Sequence, residues 1–183
     1  MAMLFADAAG FSKLTEEEVP RFVQHFLGAV GDMIAKTRRS IVAKNTWGDG
    51  LYLVFSKTEA AARFALDLCD MVVQTKWADR ELPADLALRI ALHAGPVYVG
   101  IDPVTRTRTF FGTHVSRAAR IEPITPSGQV YASESFAALA AAQDAKGFAC
   151  DYAGQIPMSK GYGTFPTFSV RRGAANVSDR PRP

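Results

Sequence analysis

Long apolar runs, paired cysteines and histidine clusters are all missing from this sequence of 183 residues. No apolar stretch approaches the ~20 residues that a membrane-spanning helix requires, and the first residues lack the charged-then-apolar order of a secretory signal. These absences argue against membrane contact within this stretch. The two cysteines, Cys69 inside a helical pattern and Cys150 near a late strand, form no CxxC pair and stand beside no histidine group. A disulfide framework and a zinc finger are thereby excluded, and two lone thiols suit a reducing, cytoplasmic setting. Charge of one sign is scarce as well. Lys and Arg number 21 against 18 Asp and Glu, a net charge of +3, with much of the excess at Arg171, Arg172, Arg180 and Arg182. That distribution reads as a solvated tail and not as a nucleic-acid surface. Internal repeats and low-complexity blocks are absent too.

What is present fits one compact domain, with 48% apolar and 21% charged residues. Residues 1–172 are expected to form it. The segment 173–183, rich in Arg, Pro, Asn and Ser, reads as a flexible tail or linker stub. The start, Met-Ala-Met running straight into Leu4-Phe5-Ala6, reads as a domain taken from a longer, multidomain chain.

Hydrophobic periodicity divides the chain. Residues 2–7 read as a strand ending at Asp7. After the turn Ala8-Ala9-Gly10, Thr15 and Glu18 have capping-box spacing at the start of a helix whose apolar face is Phe22, Val23, Phe26, Leu27, Val30, Met33 and Ile34. Two strand-like runs, 41–43 and 51–55, flank Trp47-Gly48-Asp49-Gly50, whose residue types suit a hairpin turn. A helix over 59–79 follows, with Thr58 as N-cap. Leu86–Ala94 and Val97–Ile101 read as a strand pair broken at Gly95-Pro96. Next come a Thr- and Arg-rich loop, a helix over 113–121, a strand at 128–132, a helix over 135–142 and two last strands near 148–156 and 165–170. This β-α-β-β-α-β order predicts an α+β, ferredoxin-like sandwich: a mostly antiparallel sheet with helices on one face.

Asp7 and Asp49 are the residues that carry chemistry. Each lies at a strand end beside small residues, and the strands bearing them are candidates for neighbours in such a sheet. Mg²⁺ takes a few hard oxygen ligands and keeps the rest of its shell for phosphate and water. Two such ions about 3.5–4 Å apart assist both the attacking and the leaving oxygen of a phosphoryl transfer. Taken singly, each Asp is equally a turn former. Arg120 is in the same position: on a helix it shares a polar face with Thr113 and Ser116, which by itself describes a surface arginine.

Four blocks together give these residues a context. Leu4-Phe5-Ala6-Asp7-Ala8-Ala9-Gly10-Phe11-Ser12 resembles the opening strand and turn of class III adenylate and guanylate cyclases. Trp47-Gly48-Asp49-Gly50 resembles their second metal-binding element. Arg89 to Val97 and Gly112 to Arg120 resemble two further blocks, in the right order. The resemblance runs from Leu4 to Val170. It implies a ferredoxin-like fold acting as a head-to-tail homodimer with shared active sites, and two Mg²⁺ or Mn²⁺ ions per site held by Asp7, Asp49 and the carbonyl of Ala8. Backbone amides around Gly10, Phe11 and Ser12 would cradle the triphosphate, and Arg120 of the other subunit would stabilise charge in the transition state. The implied activity converts a nucleoside triphosphate to its 3′,5′-cyclic nucleotide and pyrophosphate.

Several positions depart from the family pattern. Asn45 stands where the family usually reads adenine with lysine. Lys44 is one residue earlier, and a one-residue shift in a strand turns a side chain to the other face unless the strand bulges. Thr109 holds the second base-reading place, where Asp or Thr accompanies adenine in many members and Cys often accompanies guanine, so ATP is favoured. Ser116 replaces the asparagine that positions the ribose. Tyr162 replaces a lysine for the terminal phosphates, with Lys160 two residues upstream. These substitutions leave a second reading, a cyclase-like nucleotide-binding or regulatory module with weak or no turnover. A polymerase-like palm or cyclic-dinucleotide synthase shares paired acids on a similar sheet, but the Gly-Gly-Asp/Glu type of signature is absent. His25, His93, His114, Trp47 and Trp77 read as packing or surface residues.

Overall fold

The computed structural model describes residues 1–37 and 40–173. At its centre is β1 (Ala2–Ala9), whose side chains alternate: Leu4, Ala6 and Ala8 turn to one face of the sheet, Met3 and Phe5 to the other. A strand apolar on both faces needs cover on both, so it lies inside the sheet. On one side β1 pairs with β3 (Gly50–Phe55), from Ala2↔Phe55 to Ala6↔Leu51. On the other it pairs with β4 (Ala87–Ala94), from Ala2↔Ala94 to Ala9↔Ala87. With β2 (Ile41–Trp47), β7 (Gln129–Ser133), β8 (Phe148–Pro157) and β9 (Thr164–Arg172), these make a seven-stranded sheet of order β2-β3-β1-β4-β7-β9-β8. The β4–β7 pair is parallel and the other pairs are antiparallel.

Helices α2 (Gly28–Thr37), α3 (Thr58–Gln74) and α5 (Glu134–Ala142) cover the Leu4 face together with a π-helical stretch, Phe22–Leu27, which joins the short α1 (Glu18–Arg21) to α2. Helix α4 (Thr113–Ile121) packs on the opposite face, where Ala118 and Val115 meet Met3 and Phe5. The fold is therefore the expected α+β sandwich, with α4 added across its second face. The main core is anchored by an aromatic row: Phe22 stacks on Phe26 at 4.5 Å between ring centroids, and Phe26 lies 5.3 Å from Trp77. Val23 faces away from it and is exposed. No helix among the described residues is long and apolar enough to cross a membrane.

Local signals set most element ends. Thr15 and Glu18 form the reciprocal capping box, with Thr15 N donating to Glu18 Oε2 at 2.8 Å and Glu18 N to Thr15 Oγ1 at 3.3 Å. Thr58 is not an N-cap: it is the first residue of α3, Lys57 precedes the helix in extended conformation, and the buried Thr58 hydroxyl donates to Gln143 Oε1 at 2.7 Å. That helix stops at Gln74, and Trp77 belongs to a separate 3₁₀ turn (Trp77–Arg80), its indole N–H donating to Val72 O.

The strand pair expected around Gly95-Pro96 does not form. β4 stays in the main sheet, while β5 (Tyr98–Ile101) leaves it and pairs with β6 (Arg108–Phe111), a strand inside the presumed Thr/Arg loop. β4 already has both neighbours, β1 and β7, so no edge remains for β5. Arg171 and Arg172 are not tail residues either. They end β9, Arg171 paired with Asp151 and Arg172 with Asp67 and Asp70. Arg180 and Arg182, like the rest of the expected tail from residue 174 onward, lie outside the described residues.

Candidate active site

The β1–β3 ladder ends at Ala6↔Leu51, so Asp7 and Ala8 pair only with β4 and are open on the β3 side. The two-residue turn Gly48-Asp49 closes the β2–β3 hairpin beside that opening, with Trp47 opposite Gly50. Gly48 turns at φ 64°, a left-handed conformation that favours glycine. Gly50 stands next to Asp7: a Cβ there would lie in ordinary contact, 4.0 Å from Asp7 Oδ1 and 3.4 Å from Trp47 O. The two carboxylates, 42 residues apart in sequence, thus meet at one end of the sheet. Burial and the neighbouring Asp7 carboxylate push the Asp49 carboxyl up to about 6, against its own backbone amide and Arg89, which pull it down.

Two residues that sequence reasoning passed over join them. Arg89, opposite Asp7 across β1 and β4, donates from Nη2 to Asp7 Oδ2. Its Nε lies 2.9 Å from Glu122 Oε1 but off the N–H axis, an ion pair without an aligned hydrogen bond. Burial dominates at Glu122 and raises its carboxyl to about 7, despite Arg89. The only sequence signal was the cross-strand register, which becomes readable once β4 is known to neighbour β1. Among the described residues no cluster of three His, Cys, Asp or Glu side chains suited to a metal forms. A cation here would meet two carboxylates, the adjacent carbonyl and otherwise water or phosphate, a donor set that fits Mg²⁺ or Mn²⁺.

Gly10 has φ 90° and leads into the 3₁₀ turn Phe11–Lys13, whose first bond is Lys13 N to Gly10 O at 2.9 Å. The amides of Gly10, Phe11 and Ser12 precede that bond, and the Phe11 ring edge reaches to 3.9 Å from a Cβ built at Gly48. The turn therefore stands beside the carboxylate pair.

Asn45 lies opposite Tyr52 and Lys44 opposite Leu53. Tyr52 belongs to the α4 face of the sheet and Leu53 to the other, so Asn45, and not Lys44, shares a face with Phe5 and α4. A bulge does occur in β2, between Ile41 and Ala43, but the register from Ala43 to Trp47 is regular. Asn45 Oδ1 accepts from Thr46 N at 2.9 Å. Thr109 sits on β6, half-buried, and β6 packs against β2, which brings the two expected base-reading strands together.

Ser116 is exposed on α4. Arg120, one turn on, places its guanidinium 5.8 Å from the centroid of the Tyr162 ring. Its Nη1 is buried with no hydrogen-bond partner among the described residues. Among the described residues it makes no side-chain hydrogen bond or ion pair with Asp7 or Asp49. Lys160 is exposed at φ 58° and does not occupy the Tyr162 position. Trp47, expected to pack, is 60% exposed, and its ring lies parallel to Tyr52 at 6.4 Å. At the two cysteines burial raises the thiols to about 11, which leaves them unreactive.

The profile of the adenylate and guanylate cyclase catalytic domain matches residues 1–172. An adenylate cyclase of Streptomyces griseus is 33% identical over 137 residues, which cover 73% of this chain and 31% of the relative. Guanylate cyclase 2G of Mus musculus is 30% identical over 93% of this chain and 16% of its own length. The chain thus spans about a third or less of these curated relatives. Among solved structures, the adenylyl cyclase CyaB from P. aeruginosa superposes with a TM-score of 0.78 at 20% identity, over 93% of this chain and 92% of that one. The guanylate cyclase domain of RhGC from Catenaria anguillulae, solved in complex with GTP, superposes with a TM-score of 0.76 at 21% identity, over 93% and 95%.

Proposed function

We propose that this chain, which belongs to the class III adenylate and guanylate cyclase family, cyclises a nucleoside triphosphate, ATP by preference, to the 3′,5′-cyclic nucleotide and pyrophosphate. The observation that carries the reading is the meeting of Asp7 and Asp49 at the sheet end, where burial and then the Asp7 carboxylate push the Asp49 carboxyl up to about 6. Asp7, Asp49 and the carbonyl of Ala8 would hold two Mg²⁺ or Mn²⁺ ions. When bound, such ions neutralise the triphosphate and favour ionisation of the attacking hydroxyl.

The chain's own residues then divide the work. The Gly10–Ser12 turn offers amide donors to the phosphates. Asn45 and Thr109 face the base, Thr109 favouring adenine. The ribose 3′ oxygen forms a bond to the α-phosphorus as the bond to the β-phosphate oxygen breaks, the hydroxyl proton is released, and pyrophosphate leaves. Arg120 acts at the site of a second copy of the chain, supported by an Nη1 that finds no partner among the described residues of its own chain. A planar, permanently charged donor suits the charge that develops on the phosphoryl oxygens. Ser116 reaches the ribose directly or through water. Residues 1–172 form this domain, as part of a longer protein.

The reading is tested by incubating the chain with ATP, GTP, CTP and UTP in Mn²⁺, alongside Asp49→Ala. Cyclic AMP as main product, lost in the variant, is the expected result. Nucleotide binding with no cyclic product from any substrate, in a sample shown to be dimeric, assigns the chain instead to the regulatory reading that Asn45, Ser116 and Tyr162 suggest.

A further inference from the structure

Helix α4 is tied to β4 at both ends. At its far end Glu122 meets Arg89, and at its start His114 Nδ1 lies 2.9 Å from Nε2 of His93. The two attachment points are matched in length. Eight helical residues from 114 to 122 rise about 12 Å, and four strand residues from 89 to 93 rise about 13 Å. Ser116 and Arg120 lie between the two ties. The start of α4 has no side-chain cap, since Gly112 occupies that place at φ 129°. His114 is thus the polar tie at that end.

The protons in this cluster can be counted. Ser135 Oγ donates its one hydrogen to Ala94 O at 2.9 Å, so toward Ser133 Oγ at 3.0 Å it accepts. Ser133 Oγ, which receives Phe136 N as the cap of α5, therefore donates to Ser135 and accepts from His93 Nδ1 at 2.6 Å. Ser135 Oγ also lies 3.2 Å from His93 Nδ1 and, its own hydrogen being spent, can only accept there, so every contact is supplied only if His93 carries its hydrogen on Nδ1, shared between Ser133 and Ser135, and accepts on Nε2. His93 is fully buried, and burial, with help from His114 and Arg117, lowers it to about 3, in keeping with a neutral acceptor ring.

We propose that His114 is a positioning residue, which donates from Nδ1 to His93 Nε2 and so fixes where α4, with Ser116 and Arg120, lies along β4. This rests on the roles given to Ser116 and Arg120 above. Gly95 is part of the device. A Cβ at that position would stand 2.2 Å from His114 Nδ1 and 2.5 Å from its Cγ. The ring packs flat against the strand end only because residue 95 has no side chain. Ring atoms swing aside more easily than backbone, so Gly95→Ala expels the His114 ring without changing any residue of α4.

The test compares wild type, His114→Ala, His114→Asn, Gly95→Ala and the His114→Ala/Gly95→Ala pair by amide hydrogen exchange across α4, imidazole nitrogen NMR and cyclase kinetics. Expected in wild type is a His93 ring with a protonated Nδ1 and an unprotonated Nε2. His114→Ala and Gly95→Ala each lose α4 protection and lower kcat between about ten- and a hundred-fold at unchanged KM. The pair is no worse than either alone, and Asn, whose amide N–H stands near the place of Nδ1, restores both readings. Wild-type exchange across α4 in His114→Ala, a His93 protonated on Nε2, or independent, additive losses overturn the proposal. If wild type makes no cyclic nucleotide, the functional reading fails by itself, and exchange and NMR alone decide the placement. If His114→Ala does not fold, Gly95→Ala and the wild-type NMR decide it.

Discussion

Burial, and after it the charge of neighbouring carboxylates, leaves two raised groups at the site, Asp49 at about 6 and Glu122 at about 7. Both exceed their ordinary values of 3.8 and 4.5, so the folded chain holds these protons more tightly than the unfolded chain. The stabilisation they contribute is fully present below about pH 4 and is lost as pH rises through 6 and then 7. In chelator, thermal stability should fall between about pH 4 and 7, with a shallower slope in Asp49→Asn, as read by calorimetry. Cation binding carries the opposite sign, because it needs the carboxylates deprotonated. Mn²⁺ affinity, measured by titration calorimetry, should strengthen over the same interval, and a flat profile would contradict the assignment of Asp49 as ligand. Asp7 and Asp49 were legible in the sequence because Asp beside small residues at a strand end is a local pattern. Arg89 and Glu122 were not, because the meaning of Arg89 lies in a cross-strand register and that of Glu122 in how α4 packs on the sheet.

At the scale of elements, signals carried within a few residues were readable and those shared between elements were not. The Thr15–Glu18 box could be read from spacing alone, and it forms. Thr15→Ala should lower the urea midpoint by the equivalent of about 1 kcal/mol, with Asp49-dependent chemistry intact. Thr58 shows the limit. Its type and place suit a cap, but Gln143, just past the end of α5, accepts its hydroxyl instead. The fate of β5 was likewise unreadable: whether it pairs with β4 or β6 depends on β7 already occupying the free edge of β4. The same holds for the face of Asn45, which the bulge in β2 left undecided until its position, before Ala43, was known.

The whole molecule raises the question of completeness. Within one chain Asp7 and Asp49 meet, while Arg120 lies over Tyr162 with a buried, unpartnered nitrogen. If the site is shared between two copies, Asp49→Ala and Arg120→Ala are each inactive alone. Mixed in equal amounts they should recover about a quarter of wild-type activity, because half the dimers are mixed and each mixed dimer has one intact site. Recovery is followed as cyclic nucleotide formed against the mixing ratio. Zero recovery, with mixed dimers demonstrated, would place Arg120 and the carboxylates in the same copy's site.

By itself, the sequence determined the α+β class, the order of most elements and the carboxylates available to a cation, because alternation, helical period and turn chemistry act over short spans of chain. Only the tertiary structure decided which strands are neighbours, that Arg89 faces Asp7, that Asn45 and not Lys44 shares the face of α4, and that His114 reaches His93. Each of those depends on register between segments distant in the chain. Register is set by how two apolar faces fill one core, a condition no single segment contains.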